Sequence, residues 1–468
     1  MAENFRSDEF DSELAEIMRA KKKENVDGVS LIASANHPNP EDYDSFTDAV
    51  KATFEGAYFE GYPSEKGPGQ GRYYQGTDQA DSLENLSRNR IIKVMGRNLT
   101  EEEQKSICAN VQVPTGAGAN ISVFESLMNF GDKMVSPSLK DGYGHLSHGA
   151  DSPNIVGKLF DVKGYGVNPD TGLLDYDKME EIVRKHMPKI VLAGASSYPR
   201  DIDWKRVAEI ADEVGAISMA DISHPAGLIV ADLLNDPVLA GIDVITSTTH
   251  KTLGGMKGAI IVWNKDSLAK KITEGSLATS KSDINAGVFP GSWGGPHMPT
   301  IAATASTFRR AQTEEFKEVQ RKTQENAAVL AQALKDNGWN IVTGGTDNHL
   351  VLVDIVNSEV KNENTMDGWQ AAIQLERVGI VSNKNSIPNG DLIRKADGSI
   401  KGTTAMRPAG LRFGLPPVTT RGCGVNEIQE LAELIDAALR STGDSVKLQS
   451  IRDEVKKMAS RFPIPEYR

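Results

Sequence analysis

Apolar and polar positions along the chain follow two periods. Between about residue 80 and residue 300, short apolar runs of strand length alternate with stretches of helical spacing. "KIVLAG" ends at Gly194, "AISMAD" ends at Asp221, and "DVITST" stops just before Lys251. Between the first two lies "WKRVAEIADEVG", which reads as a helix stopped by Gly215. Strand–helix–strand repetition predicts an α/β fold, with a mostly parallel sheet and helices on both faces. Nearer the start, "DSELAEIMRAKKKENV" predicts an amphipathic helix with Leu14, Ile17 and Met18 on one side. Residues 301–340 predict long helices leading to a smaller α+β region. That region holds the apolar strand "HLVLVDIV" and the patterned helix "VNEIQELAELIDAAL". The expected organisation is an N-terminal helical arm (1–60), a large domain (61–320) and a small C-terminal α+β domain (321–468).

Composition narrows the function classes. The chain has 468 residues, 39% hydrophobic and 25% charged, a globular composition long enough for two or three cores. Asp and Glu number 64 against 52 Lys and Arg, and the net charge is −12. That balance carries no electrostatic footprint for nucleic acid or for an anionic membrane. Two cysteines, Cys108 and Cys423, fit a reducing compartment rather than a disulfide framework. No apolar run approaches the roughly 20 residues of a membrane span. The polar, acidic start is unlike a targeting segment. A cytoplasmic protein is expected.

The chemistry gathers where strands end. Ligands of doubly wound sheets bind beyond the carboxyl ends of the strands, and Asp221 and Lys251 both fall there. A lysine on a tight connection between two core strands loses water. That disfavours its ammonium form and makes its amine a nucleophile able to form a Schiff base. A carboxylate at a strand end caps a helix or holds a protonated ring nitrogen. "VPTGAGAN" is a Gly-rich turn leading into the helix "ISVFESLMNF", and its free N–H groups suit a phosphate. "GYGHLSHG" carries His145 and His148; no carboxylate or cysteine pattern completes a metal site around them, and an imidazole there could stack on an aromatic cofactor. Lysine, carboxylate, imidazole and phosphate cradle are the four parts that pyridoxal 5'-phosphate needs. Their order matches the aspartate-aminotransferase-like architecture, fold type I.

Ten segments then carry a specific resemblance. They are "SLIASANHPNP", "YFEGYPS", "GRYYQG", "GHLSHG", "ADISHPAGL", "STTHKTL", "VFPGSWGGP", "GGTDNHLVLVD", "SNKNSIPN" and "LRFGLPPVTTRG", spread over nearly the whole chain. In this order they resemble the serine hydroxymethyltransferase family. The resemblance implies pyridoxal phosphate as cofactor, tetrahydrofolate as co-substrate, and interconversion of serine and glycine. It implies that Lys251 carries the cofactor, that Asp221 holds its ring nitrogen, and that His145 stacks on the ring. Ser196 and His224 would bond near its phenolic oxygen, while Thr115, Gly116, Ala117 and His250 match positions around the phosphate. Arg412 and Ser34 would bind the substrate carboxylate. Tyr58, Glu60, Gly294 and Gly295 match positions supplied across a homodimer interface, with a tetramer left open. Tyr73, Tyr74 and Asn385 match positions near the folate and the reacting carbon. Glu60 would act as the acid–base.

The chain also departs from the family pattern. Ala35 stands where the family has Glu, Ala117 where it has a phosphate-binding hydroxyl, and Lys257 where it has Arg. Lys140 aligns near a folate-lining leucine, and "SEKGPGQG" at 64–71 is inserted beside the expected folate mouth. These departures keep a second reading open: a specialised relative acting as an aldolase, a transaldolase or an α-methylserine hydroxymethyltransferase. A non-catalytic binding paralogue is a third.

Overall fold

A computed structural model describes residues 11–64, 71–140, 143–274, 283–360, 366–388, 393–394, 400–401 and 406–465. Its central sheet has seven strands: β1 (Ile107–Asn110), β2 (Lys133–Pro137), β3 (Asp161–Tyr165), β4 (Ile190–Gly194), β5 (Ile217–Asp221), β6 (Val244–Thr248) and β7 (Ala259–Asn264). The order is β1-β7-β6-β5-β4-β2-β3. Strands β3, β2, β4, β5 and β6 run parallel, and β7 is antiparallel to both its neighbours. This is the mostly parallel α/β sheet of fold type I. Strands β4, β5 and β6 are buried at every position, which is why they read as unbroken apolar runs rather than alternating ones.

Helices close both faces. Trp204–Asp212 is the helix expected between β4 and β5; Asp203 caps it by accepting from the Arg206 N–H, and Trp204, Val207, Ile210 and Ala211 are buried. Register then sets the functional edge, because Gly194 pairs with Asp221 and Asp221 with Thr246. β4 and β5 therefore finish at one level, and β6 runs two residues further. A side chain at Gly194 (φ +143) would stand 2.3 Å from the Asp221 carbonyl oxygen. Only glycine lets these two strand ends approach so closely.

A second core forms around a four-stranded antiparallel sheet of Asn383–Asn385, Gly410–Gly414, Leu350–Asp354 and Asn340–Ile341. The 23-residue helix Glu314–Asp336 runs unbroken through position 320 and packs on the helix Val425–Arg440. The N-terminal segment belongs to this core. Val29–Ser30 pairs in parallel with Ile380–Val381, and the Gly414 N–H donates to the Leu31 carbonyl at 2.8 Å. Val29 and Leu31 are buried among Phe413, Ile428 and Leu431.

The first helix, Ser12–Asp27, forms where the sequence predicts it. It rests against the helix Ser445–Arg461 and buries Ala15, while Leu14, Ile17 and Met18 stay exposed. A narrow small-residue contact is enough to seat it, so its larger apolar side chains are not drawn into this chain's core. Of the insertion at 64–71, residues 65–70 lie outside the described residues. Among the described residues, no helix is long and apolar enough to cross a membrane.

Candidate active site at the carboxyl ends of the parallel strands

A cavity of about 350 Å³ opens at the strand-end edge. Lys251, Asp221, His145, His224, His250 and Ser196 line it, together with Gly116, Ala117, Ser34 and Arg412. Ten positions singled out from the sequence thus meet at one place, from chain segments as distant as 34 and 412.

Lys251 sits on the connection between β6 and β7. Its carbonyl is held by the Asn36 side-chain amide at 3.1 Å and by the Gly254 N–H at 3.0 Å. Its amine makes no hydrogen bond or ion pair among the described residues. Burial lowers that amine from the usual lysine range to about 8; Asp221 opposes the shift and Arg412 adds to it. Near pH 8, about half of the population is a free nucleophilic amine.

Asp221 ends β5, lines the cavity and is backed by donors. Oδ1 accepts from the Ser223 N–H at 3.0 Å, and Oδ2 accepts from Asn120 at 2.9 Å and stands 3.1 Å from His148 Nε2. Burial alone would raise its pKa, but His148 and Asn120 together outweigh burial and hold it well below the usual carboxylate range. A permanent buried negative charge results.

The same network fixes two ring tautomers. The His145 backbone N–H donates to His148 Nδ1 at 3.2 Å, so the ring N–H of His148 is the one on Nε2, facing Asp221. The Ser147 N–H donates to His145 Nδ1, and the Ser147 hydroxyl lies 2.7 Å from it. Asn120 spends its second amide proton on Ser147 Oγ, and its own carbonyl oxygen accepts from Thr246. Ser147 must therefore donate to His145, leaving the His145 proton on Nε2. Burial, with His148 adding, lowers His145 to about 4, so the ring is neutral at pH 7. A neutral flat ring on the cavity wall can stack on an aromatic group.

His224 is backed by His349. Their rings stack at 5.4 Å with Nδ1 and Nε2 3.2 Å apart, and burial pushes both well below the histidine range. With both rings neutral, one ring donates its N–H across that contact and the other accepts.

Arg412 lies in the antiparallel sheet, opposite Asn383 and Leu352. Nε donates to the Asn383 side-chain oxygen at 3.0 Å, and Nη1 donates to the Ser196 carbonyl. Among the described residues no carboxylate pairs with it, and Nη2 is unused. A buried, uncompensated guanidinium in a cavity can pair with an incoming carboxylate.

The helix Gly116–Leu127 points its start at the cavity. Thr115 caps it through the Gly118 N–H at 3.1 Å, which leaves the Gly116 and Ala117 N–H groups without partners among the described residues. His250 Nδ1 is also buried without a partner. Two aimed N–H groups, an orphaned imidazole, a free amine and a deep carboxylate are a donor and acceptor set that fits pyridoxal phosphate: the first three could hold a phosphate, the fourth could capture an aldehyde and the fifth could pair with a protonated ring nitrogen.

The remaining expected residues do not line this cavity. Tyr58, Tyr73 and Tyr74 are 69%, 73% and 48% exposed, and the rings of Tyr58 and Tyr74 lie 6.0 Å apart. Glu60 faces Gly295, where a side chain would come within 3.2 Å of Oε1, and its Oε2 is buried without a partner among the described residues. Gly294, its neighbour, has open space around it. Asn385 bonds Ser197 at 3.1 Å, beside the cavity rather than in it. Arg72 holds the Glu60 loop from below: it donates to the Phe59 and Gly61 carbonyls on either side of Glu60 and pairs with Asp81 and Glu84. Lys257 is exposed, and Lys140 pairs with Asp151 at 2.9 Å.

Sequence reasoning passed over Asn120, Ser147, Ser223, Thr248 and His349, and set His148 aside once a metal was rejected. Asn120, His148 and Ser223 stand inside the quoted motifs, so their signal was proximity to residues already chosen. His349 lies in "GGTDNH", far along the chain from His224.

The family model described as serine hydroxymethyltransferase matches residues 7–435. A protein named serine hydroxymethyltransferase from Wolbachia sp. subsp. Drosophila simulans (strain wRi) is 39% identical over 458 residues, covering 97% of this chain and 96% of its own. One of the same name from Wolbachia pipientis wMel is also 39% identical over 458 residues, with the same coverage. Another, from Wolbachia pipientis subsp. Culex pipiens (strain wPip), is 40% identical over 439 residues, covering 93% and 91%. The match runs through every segment that builds the cavity, and the chain belongs to the serine hydroxymethyltransferase family.

Proposed function

We propose that the protein interconverts serine and glycine, with pyridoxal phosphate as cofactor and tetrahydrofolate as one-carbon acceptor. The observation that carries the reading is the unpaired Lys251 amine sharing one cavity with the Asp221 carboxylate and the uncompensated Arg412 guanidinium. When bound, the cofactor supplies an electron sink for the pair left on the amino-acid α-carbon. Lys251 would hold it covalently. Asp221, kept ionised by His148 and Asn120, would keep its ring nitrogen protonated. His145 would cover one ring face, Ser196 and His224 would meet the phenolic oxygen, and Gly116, Ala117 and His250 would hold the phosphate with Thr115 shaping the turn.

Arg412 would clamp the substrate carboxylate with its free edge, and Ser34 would add a hydroxyl beside it. That clamp fixes the α-carbon and so decides which of its bonds is broken. A carboxylate near the substrate hydroxyl must then take and return its proton. Glu60 is the candidate. Because it does not line the cavity of its own chain, it would serve that of a second copy, with Tyr58, Gly294 and Gly295 completing the seam. Tyr73, Tyr74 and Asn385 would border the folate. The assembly this requires is a homodimer.

The test is a substrate screen with and without tetrahydrofolate. Serine cleavage should rise on its addition. No rise, with ready cleavage of another β-hydroxy amino acid, would overturn the reading in favour of a specialised relative.

A further inference from the structure

Ala117 leaves the start of the Gly116–Leu127 helix without the hydroxyl that the family pattern places there. The structure supplies another from a different strand end. Ser223 lies two residues beyond Asp221, is 7% exposed, and lines the same cavity as Gly116 and Ala117. Its N–H is spent on Asp221 Oδ1 at 3.0 Å, which turns the chain so that the side chain faces the helix. A side chain built on Gly116 would stand 3.4 Å from Ser223 Oγ, so the hydroxyl rests against the first residue of the helix. Ser223 Oγ accepts from the Thr248 N–H at 3.2 Å, and its carbonyl accepts from the Thr248 hydroxyl at 3.2 Å. The oxygen is thereby positioned, while its own proton finds no acceptor among the described residues. The Gly116 and Ala117 N–H groups, without partners among the described residues, line the same cavity, as does His250.

A buried hydroxyl proton with no acceptor, set among unpaired N–H groups, calls for an anionic oxygen. We propose that Ser223 is a phosphate-binding residue of this protein, its hydroxyl replacing the one absent at Ala117. The role rests on pyridoxal phosphate binding at Lys251, as argued above. It makes Ser223 a determinant of phosphorylated against unphosphorylated cofactor. Thr248 acts as its positioning residue, since the Thr248 N–H fixes the direction in which the hydroxyl can donate.

The test uses the full chain stripped of cofactor and titrated separately with pyridoxal phosphate and with pyridoxal, followed by the absorbance of the lysine-bound chromophore. Ser223→Ala should weaken pyridoxal phosphate binding roughly 10- to 150-fold, the range for one lost hydrogen bond to a charged group, and leave pyridoxal binding within about twofold. Adding Ala117→Ser to that variant should restore most of the loss, and the phosphorus resonance of the bound cofactor should move in Ser223→Ala and return in the double variant. Equal weakening of both ligands, or no rescue by Ala117→Ser, would overturn the proposal and leave Ser223 as a support for Thr248. If Ser223→Ala does not fold, Ser223→Cys keeps the volume with a far weaker donor, and the same comparison decides. Failure of the wild-type chain to bind pyridoxal phosphate at all would instead strike the underlying reading.

Discussion

Asp221 Oδ2 stands 3.1 Å from His148 Nε2, and the His145 backbone dictates which nitrogen of that ring carries the proton. The backbone of His145 therefore orients the residue that keeps the deep carboxylate charged. The Asp221 pKa is depressed on folding, so its stabilisation is fully present above the unfolded value near 4 and is lost as pH falls through the folded value. His148→Ala should remove the leading favourable contact and narrow that window. Thermal melts of the cofactor-free chain between pH 3 and 7 should show the wild type losing stability as pH falls below about 4, and the variant, less stable at pH 7, losing less of it over the same range. Coincident acid limbs would count against the coupling.

Lys251 offers a second measurement. Its amine is lowered to about 8, so capture of an aldehyde by the cofactor-free chain should rise through an apparent pKa near 8 rather than above 10. Borohydride reduction followed by peptide mapping should place the label on Lys251, and label on another lysine would refute the assignment. Lys251→Met removes a buried amine whose protonation opposes folding. Its stabilising effect on the cofactor-free chain should be full below pH 8 and fade as pH rises towards the unfolded value of about 10.4.

Arg412→Ala should hold the cofactor yet bind glycine about 10- to 150-fold more weakly, the effect of losing a charge-assisted contact of roughly 1.5–3 kcal/mol. Because Arg412 also lowers the Lys251 amine, the aldehyde-capture profile of the variant should shift to higher pH. Unchanged glycine titration of the chromophore would rule out the carboxylate role.

Glu60→Gln should reduce folate-dependent serine turnover by roughly 10²–10⁴-fold. Cleavage of allo-threonine without folate should suffer less, since its aldehyde leaves unassisted. Mixing Glu60→Gln with Lys251→Ala chains under conditions of subunit exchange should regenerate activity. A hybrid pair then contains one site with both an intact lysine and an intact glutamate. No recovery in verified hybrids would mean that Glu60 serves its own chain. Sedimentation of wild type should show no active monomer.

Much of the fold was readable from pattern. β4, β5 and β6 are buried on both faces, so their apolar runs stood out, and parallel strands put their ends at one edge. That edge made Asp221 and Lys251 a pair before any contact was known. The network behind them was not readable. Asn120 and His148 lie 101 and 73 residues from Asp221, and nothing in local spacing announces a contact across a sheet. The exposed face of Leu14, Ile17 and Met18 shows a different limit. Periodicity marks which side of a helix is apolar, but not whether its own chain supplies the cover. The family segments brought Glu60 to notice, yet a single chain places it away from Lys251, because the reading joins positions by order and not by distance.

The pairing of Val29 with Ile380 also sets a schedule for synthesis. The central sheet can close once residues up to Asn264 have emerged, but the strand at Val29 must wait for a partner made 351 residues later. At typical translation speeds that delay is about 20–70 s. During it, Leu31 and the Ser34 loop have no core to join, so the nascent chain carries an open apolar end that chaperones or a neighbouring nascent chain could capture. The side of the cavity formed by Ser34 and Arg412 is then built late, since Leu31, three residues before Ser34, closes onto Gly414, two residues after Arg412.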